Sequence, residues 1–365
     1  MPNAADYKSA TPYPLVLSPI LKPKVWGGRR LESRGKGLPQ AEGGMTTFGE
    51  SWELADLGST SPGGGGGGAA RSVIANGPLA GRSLHDAMRL WGKDLLGEAK
   101  LAADGGGGGD AGGFPLLVKY LDAREHLSVQ NHPSPAYVAA HANEPGVNLK
   151  TESWVVLEAD PGSVLYLGLK PGVTREDLER GLRGGTLPEL LNAVSPIVGA
   201  CYTLPSGCIH ALGAGILVAE VQTPSDTTYR LYDWTKEYAR PVRELHVEQA
   251  LASCTLEQPP EPTVLSSPRG NLATTAFYSI DRLNFSDEDG SDEEGSDEEV
   301  RLPEGQACVV MLPRASGVGF KSRSGAFEEV AATAGQTVLI PAAISGDTVL
   351  RAGATTEALV VTIGS

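Results

Sequence analysis

Pro205-Ser-Gly-Cys-Ile-His-Ala-Leu-Gly-Ala-Gly-Ile-Leu-Val-Ala-Glu-Val-Gln222 is the stretch that decides the fold. Proline and glycine two residues apart make a tight turn, and the imidazole of His210 follows at the start of a strand. Glycines at 213 and 215 punctuate the chain again, and Ile216–Gln222 then reads as a second strand. Side chains alternate along a strand, so Val218, Glu220 and Gln222 share one face while Leu217, Ala219 and Val221 share the other. One face is wholly apolar and the other carries a carboxylate and an amide. Such a strand lies between a core and a polar interior.

Further strand-like runs lie around it: Trp154 to Glu158, Val164 to Leu169, Gly199 to Leu204 and Thr228 to Asp233. Helical text is limited to Ser83 to Lys100, Thr174 to Leu182 and Thr186 to Val194. The last two open with a threonine and an acid three residues later, the capping-box spacing. Short strands at close intervals predict a mainly β chain of sandwich or barrel type. Four prolines between Pro259 and Pro268 read as a linker. Beyond it, Phe277 to Phe285, Ala307 to Leu312, Thr337 to Ile340 and Ala358 to Ile363 predict a second β domain over 269–365, after a first domain over 1–258.

The chain has 365 residues and a net charge of −14, but nine acids fall between Asp287 and Glu299. Outside that run, 30 basic residues face 35 acidic ones, a balance of −5. Without a basic surplus, neither nucleic acid nor an anionic membrane is expected as a partner. No run reaches the roughly 18 apolar residues of a membrane span. The N-terminal Met-Pro-Asn-Ala-Ala-Asp does not read as a signal peptide. Four cysteines without a C-x-x-C pair make no disulfide scaffold, and a cytoplasmic protein is expected. The glycine runs Gly63–Gly68 and Gly105–Gly113, and the acidic repeat over 286–299, read as expanded surface loops.

Three segments carry chemistry. In Leu127-Ser-Val-Gln-Asn-His-Pro133, Ser128, Gln130 and His132 point to one side of an extended chain, with His126 a further lining group. Lys150-Thr-Glu-Ser-Trp154 places Glu152 just before an apolar strand, and the Pro-x-Gly-x-x-His turn supplies His210. Two imidazoles, a carboxylate and an amide oxygen suit Zn²⁺ with room for water or substrate, and would also suit Fe²⁺ in an oxygenase. Glu220, mid-strand, must be solvated, paired or coordinated. Arg230 is the expected partner in a structural pair, or else an anion-binding group beside a proton-transfer carboxylate.

The Pro-x-Gly-x-x-His turn after an upstream His and Glu resembles the metal motifs of cupins. More closely, the chain resembles type I mannose-6-phosphate isomerases, particularly the short bacterial form. Six segments in family order carry the resemblance: Lys22-Pro-Lys-Val-Trp-Gly-Gly28, Gly49-Glu-Ser-Trp-Glu-Leu54, Leu127 to Pro133, Lys150 to Trp154, Pro205 to Gly213, and Gln222-Thr-Pro-Ser-Asp-Thr-Thr-Tyr-Arg-Leu-Tyr-Asp-Trp234. Together they span roughly two thirds of the chain. The resemblance implies a cupin-type double-stranded β-helix (jelly roll) with a small helical insertion around 171–194 and a second C-terminal β-sandwich without metal ligands. It implies one Zn²⁺ per chain on Gln130, His132, Glu152 and His210. Ser128, Asp226 and Lys119 are expected to bind substrate, and Arg230, Glu220 and Lys150 to act in catalysis. The implied reaction interconverts mannose 6-phosphate and fructose 6-phosphate through an enediol; the alternative is a non-catalytic sugar-phosphate sensor on the same fold. Monomer and homodimer both remain open.

Overall fold

Two antiparallel sheets face each other around the polar interior. The computed structural model describes residues 9–40, 47–60, 67–99, 112–142, 144, 146–285 and 298–364. The first sheet has six strands, in the order Cys201–Leu204, Glu152–Ala159, Ile216–Gln222, Leu117–Ala123, Ile20–Gly28, Phe48–Leu54. The second has five, in the order Leu191–Val194, Leu165–Leu169, His210–Leu212, Val129–Asn131, Tyr229–Tyr232. From Glu152 onward the chain passes back and forth between the two sheets, which is the double-stranded β-helix the resemblance implies. Every pairing among the described strands is antiparallel.

Alternation decides what each face does. Val156, Val218, Leu121, Leu165, Leu212 and Tyr202 fill the space between these two sheets. Val118, Tyr120, Val155, Leu217, Ala219 and Val221 point the other way, onto a third sheet. That third sheet has seven strands, and it carries Val309, Met311, Leu339, Leu359 and Val361 to the same core. Its far face packs Val310, Leu312, Val338 and Val360 against Phe320 and Leu350 of a fourth, four-stranded sheet. Four sheets therefore stack with an apolar layer between each pair. The outer face of the five-stranded sheet is covered by Leu178, Leu187 and Leu251 from short helices.

The boundary expected between 258 and 259 does not follow the sheets. Leu15–Ser18 and Val73–Ile74 are the last two strands of the seven-stranded sheet, Leu15–Ser18 pairing with Thr337–Ile340. The physical reason is visible in Leu15, Val16 and Leu17, which are buried on both faces and so suit only a covered strand. The stretch Pro259 to Pro268 forms no strand, yet Thr263 exchanges two backbone hydrogen bonds with Cys201 at the sheet edge. Of the expected surface loops, 63–66, 105–111 and 286–297 lie outside the described residues; Glu298 and Glu299 begin a strand, Glu298–Arg301.

The helices correct two expectations. Ser83 caps a helix at Leu84–Trp91 with a capping box to Asp86, but Gly92, at φ +51°, ends it before a single turn at Lys93–Leu96. Thr174 caps Arg175–Gly184 through Asp177 in the same way. Thr186 makes no cap bond, and only Leu187–Leu190 is helical. Leu191–Val194 is instead a strand paired with Leu165–Leu169, because the sheet edge offers its backbone hydrogen-bond partners, with one irregularity between Tyr166 and Leu169. No described helix is long and apolar enough to cross a membrane.

Candidate active site

A row of three residues crosses the five-stranded sheet: His210 lies opposite Gln130, and Gln130 opposite Arg230. Facing it, the six-stranded sheet presents Glu152 beside Gln222, and Trp154 beside Glu220 beside Lys119. The turn that delivers His210 depends on Gly207, whose φ is +98° and where a Cβ would meet Ser134 and Thr255 at 2.9 Å.

His132, Glu152 and His210 converge with one ligand atom from each within 4.8 Å of the others, all buried. His132 Nδ1 lies 2.8 Å from the carbonyl of Thr227, and His210 Nδ1 3.0 Å from that of Cys208. A carbonyl only accepts, so both Nδ1 atoms carry the proton and both Nε2 atoms turn a lone pair inward. His210 Nε2 then faces Glu152 Oε1 at 3.0 Å, and His132 Nε2 faces Oε2 at 3.4 Å. Lys150 Nζ, 3.2 Å from His132 Nε2, bridges one of these pairs, and a metal cation among the three side chains would bridge both. Neither Glu152 oxygen receives a hydrogen bond of proper geometry, although Lys150 Nζ stands 2.8 Å from Oε2. Gln130 Nε2 is 3.3 Å from His210 Nε2, and Ser128 donates to Gln130 Oε1 at 3.4 Å. The two imidazoles and the carboxylate fit a divalent metal ion such as zinc.

The charges agree with that reading. Burial, and then the Lys150 ammonium, depress His132 to about 3, so its imidazole is neutral. Burial alone would raise the Glu152 carboxyl, but Lys150 and the two imidazoles outweigh it and hold it well below the usual range. A carboxylate and a neutral imidazole are ligand forms that suit a divalent metal.

The triad lies beneath a cavity of about 660 Å³ lined by Ser128, Gln130, Lys150, Lys119, Glu220, Asp226 and Arg230. Every expected substrate and catalytic residue is therefore on its wall. Glu220 Oε1 accepts from the Trp154 indole at 2.9 Å, and Oε2 is 2.9 Å from Lys119 Nζ. Lys119 also donates to Gln222 Oε1 at 2.6 Å. Burial would lower the Lys119 ammonium, yet Glu220 and Glu50 raise it. The expected Glu220–Arg230 pair does not form, because the two residues sit on opposite sheets. Arg230 instead donates Nη1 to the Glu244 carbonyl at 2.7 Å and leaves Nε buried without an acceptor.

His126 is not in this cavity. Its Nδ1 accepts from the Ala214 amide at 2.7 Å, and its ring packs on Trp234. The strand begins only at Val129, so alternation does not extend back to it. Conversely, sequence reasoning missed Lys24, Glu50 and Trp52, which form one wall. Glu50 accepts from Trp52 Nε1 at 2.6 Å and pairs with Lys24 at 3.1 Å. Alternation in Gly49-Glu-Ser-Trp52 already puts Glu50 and Trp52 on one face. A second cavity of about 600 Å³, beside helix Leu84–Trp91, is lined by His85, Met88 and Leu96 and holds none of these groups.

No protein-family profile matches the chain. It is 35% identical over 268 residues to a mannose-6-phosphate isomerase of Streptococcus mutans serotype c, an alignment covering 73% of this chain and 75% of that one. The crystal structure of the mannose 6-phosphate isomerase from Bacillus subtilis superposes with a TM-score of 0.70 at 25% identity, over 95% of this chain and 99% of that chain. A mannose 6-phosphate isomerase bound with zinc and yttrium shares the fold, with a TM-score of 0.65 at 16% identity over 96% and 100% of the two chains.

Proposed function

The chain belongs to the mannose-6-phosphate isomerase family, and from that premise we propose that it interconverts mannose 6-phosphate and fructose 6-phosphate with one Zn²⁺ held by Gln130, His132, Glu152 and His210. The observation that carries the zinc assignment is the opposed lone pairs of Glu152 and the two imidazoles at the cavity floor. A zinc ion there supplies Lewis acidity toward the charge that develops on the sugar oxygens.

The chain's own residues divide the remaining work. Isomerisation moves a proton between C1 and C2, so the base must be ionised and reach both carbons. We assign it to Glu220: its carboxyl lies between the Trp154 indole and Lys119, and its Oε2 receives no hydrogen bond of proper geometry. Lys150, an ammonium donor beside the ligand set, holds the reacting oxygens. Arg230, next to Gln130 in the row, faces the developing enediolate with its buried, unpaired Nε–H. Ser128, Asp226 and Lys119 orient the rest of the sugar phosphate.

The test is a coupled assay for fructose 6-phosphate formed from mannose 6-phosphate, on zinc-loaded and chelator-stripped protein. Activity lost on stripping and restored by Zn²⁺ is expected. Inactivity with a full equivalent of bound zinc would leave a binding-only cupin, and full activity without metal would remove zinc from the reaction.

A further inference from the structure

The strand that delivers Glu152 is held from behind by a residue of another sheet. Glu152 and Trp154 face the metal site, so Ser153 points the opposite way, toward the seven-stranded sheet. Its Oγ lies 2.9 Å from Thr203 Oγ1, its partner across the ladder, and 3.0 Å from the hydroxyl of Tyr278. Ser153 and Tyr278 are both buried. Tyr278 opens the strand Tyr278–Asn284, which pairs with Glu357–Ile363 and belongs wholly to the seven-stranded sheet.

Glu152 is the first residue of its strand, set between Leu204 on one side and Gln222 on the other. Its carboxylate receives no well-formed hydrogen bond from the protein. The rung next to it, Ser153 opposite Thr203, is the rung the Tyr278 hydroxyl ties down. We propose that Tyr278 is a positioning residue for the metal site: through the Ser153–Thr203 rung it sets the placement of the Glu152 carboxylate. The C-terminal part of the chain thereby contributes to zinc affinity without supplying a ligand. This inference rests on the zinc reading above. Groups hydrogen-bonded directly to a metal ligand commonly change metal affinity about 10- to 100-fold when removed, and Tyr278, one residue removed from Glu152, belongs at the low end of that range.

Zinc affinity is to be measured by competition with a chromophoric chelator in the full chain, in Tyr278→Phe and in Ser153→Ala. Leu359→Ala is the control, because it loosens the same apolar layer and leaves the hydroxyls in place. Tyr278→Phe should bind zinc about tenfold more weakly. The double variant Tyr278→Phe/Ser153→Ala should lose little more than either alone, since both break one relay. Leu359→Ala should melt earlier yet keep its zinc affinity within about twofold. If Tyr278→Phe does not fold, Ser153→Ala carries the same expectation. A zinc-binding chain indifferent to Tyr278→Phe overturns this inference alone, as does an equal loss of zinc affinity in Leu359→Ala. An unaltered chain that takes up no zinc overturns the function reading, and this inference with it.

Discussion

Glu220 concentrates what a single residue shows in this site. Its position in Ile216–Gln222 makes it face the interior, and its rung partners are Trp154 on one side and Lys119 on the other. Glu220→Gln keeps the shape and removes the base. We expect kcat to fall about 100-fold or more while one zinc per chain is retained, with metal content and turnover measured on the same sample. A variant within about threefold of full activity would take the proton transfer away from Glu220. The alternation that places Glu220, Gln130 and His132 was legible in the sequence, because period two is a local property of an extended chain. The partner of Glu220 was not. Arg230 is ten residues away along the chain but sits on the facing sheet, whereas Lys119, 101 residues away, is the adjacent rung.

Helix boundaries were legible where a side chain closes them. Thr174 and Asp177 exchange both bonds of a capping box, and the helix Arg175–Gly184 follows as the spacing predicts. Thr186 and Glu189 have the same spacing and make no such bond, so the pattern alone does not decide. What decides there is the free edge beside Leu165–Leu169, which the following residues complete as a strand. The difference is measurable. Thr174→Ala should cost about 1 kcal/mol in urea unfolding. Thr186→Ala should cost well under half of that, and neither should change turnover, since both lie on the outer helices. Equal costs would mean that Thr186 caps its helix in solution.

At the scale of the whole molecule, the layered arrangement explains why the sheet that holds Glu152 is apolar on its other side. It also explains why that arrangement could not be read from the chain. Leu15–Ser18 is a short apolar run that looks like any strand, and its partner Thr337–Ile340 lies more than 300 residues later. Besides the Ser153–Tyr278 contact, a charged pair crosses this layer. Lys36 Nζ pairs with Glu53 Oε2 at 2.6 Å and donates to the Gly335 carbonyl, while Thr337 donates to the same carboxylate at 3.4 Å. Both charged side chains are fully enclosed, and burial pushes the Glu53 carboxyl up against the opposing pull of Lys36. Removing only the lysine leaves a buried carboxylate without its cation, so Lys36→Met should destabilise the fold by about 3–5 kcal/mol at neutral pH. Glu53 in that variant is held more firmly in its neutral form than in the unfolded chain. A raised folded pKa contributes stability below the unfolded value near 4.5, which is lost as pH rises through the folded value. The loss in Lys36→Met should therefore be smallest at about pH 4.5 and grow toward pH 8. The double variant Lys36→Met/Glu53→Leu should recover most of it at every pH, because no charge is then left in the layer. Urea unfolding of the three chains at several pH values checks this. A pH-independent loss in Lys36→Met would mean that packing of the lysine stem, and not the stranded carboxylate, sets the cost.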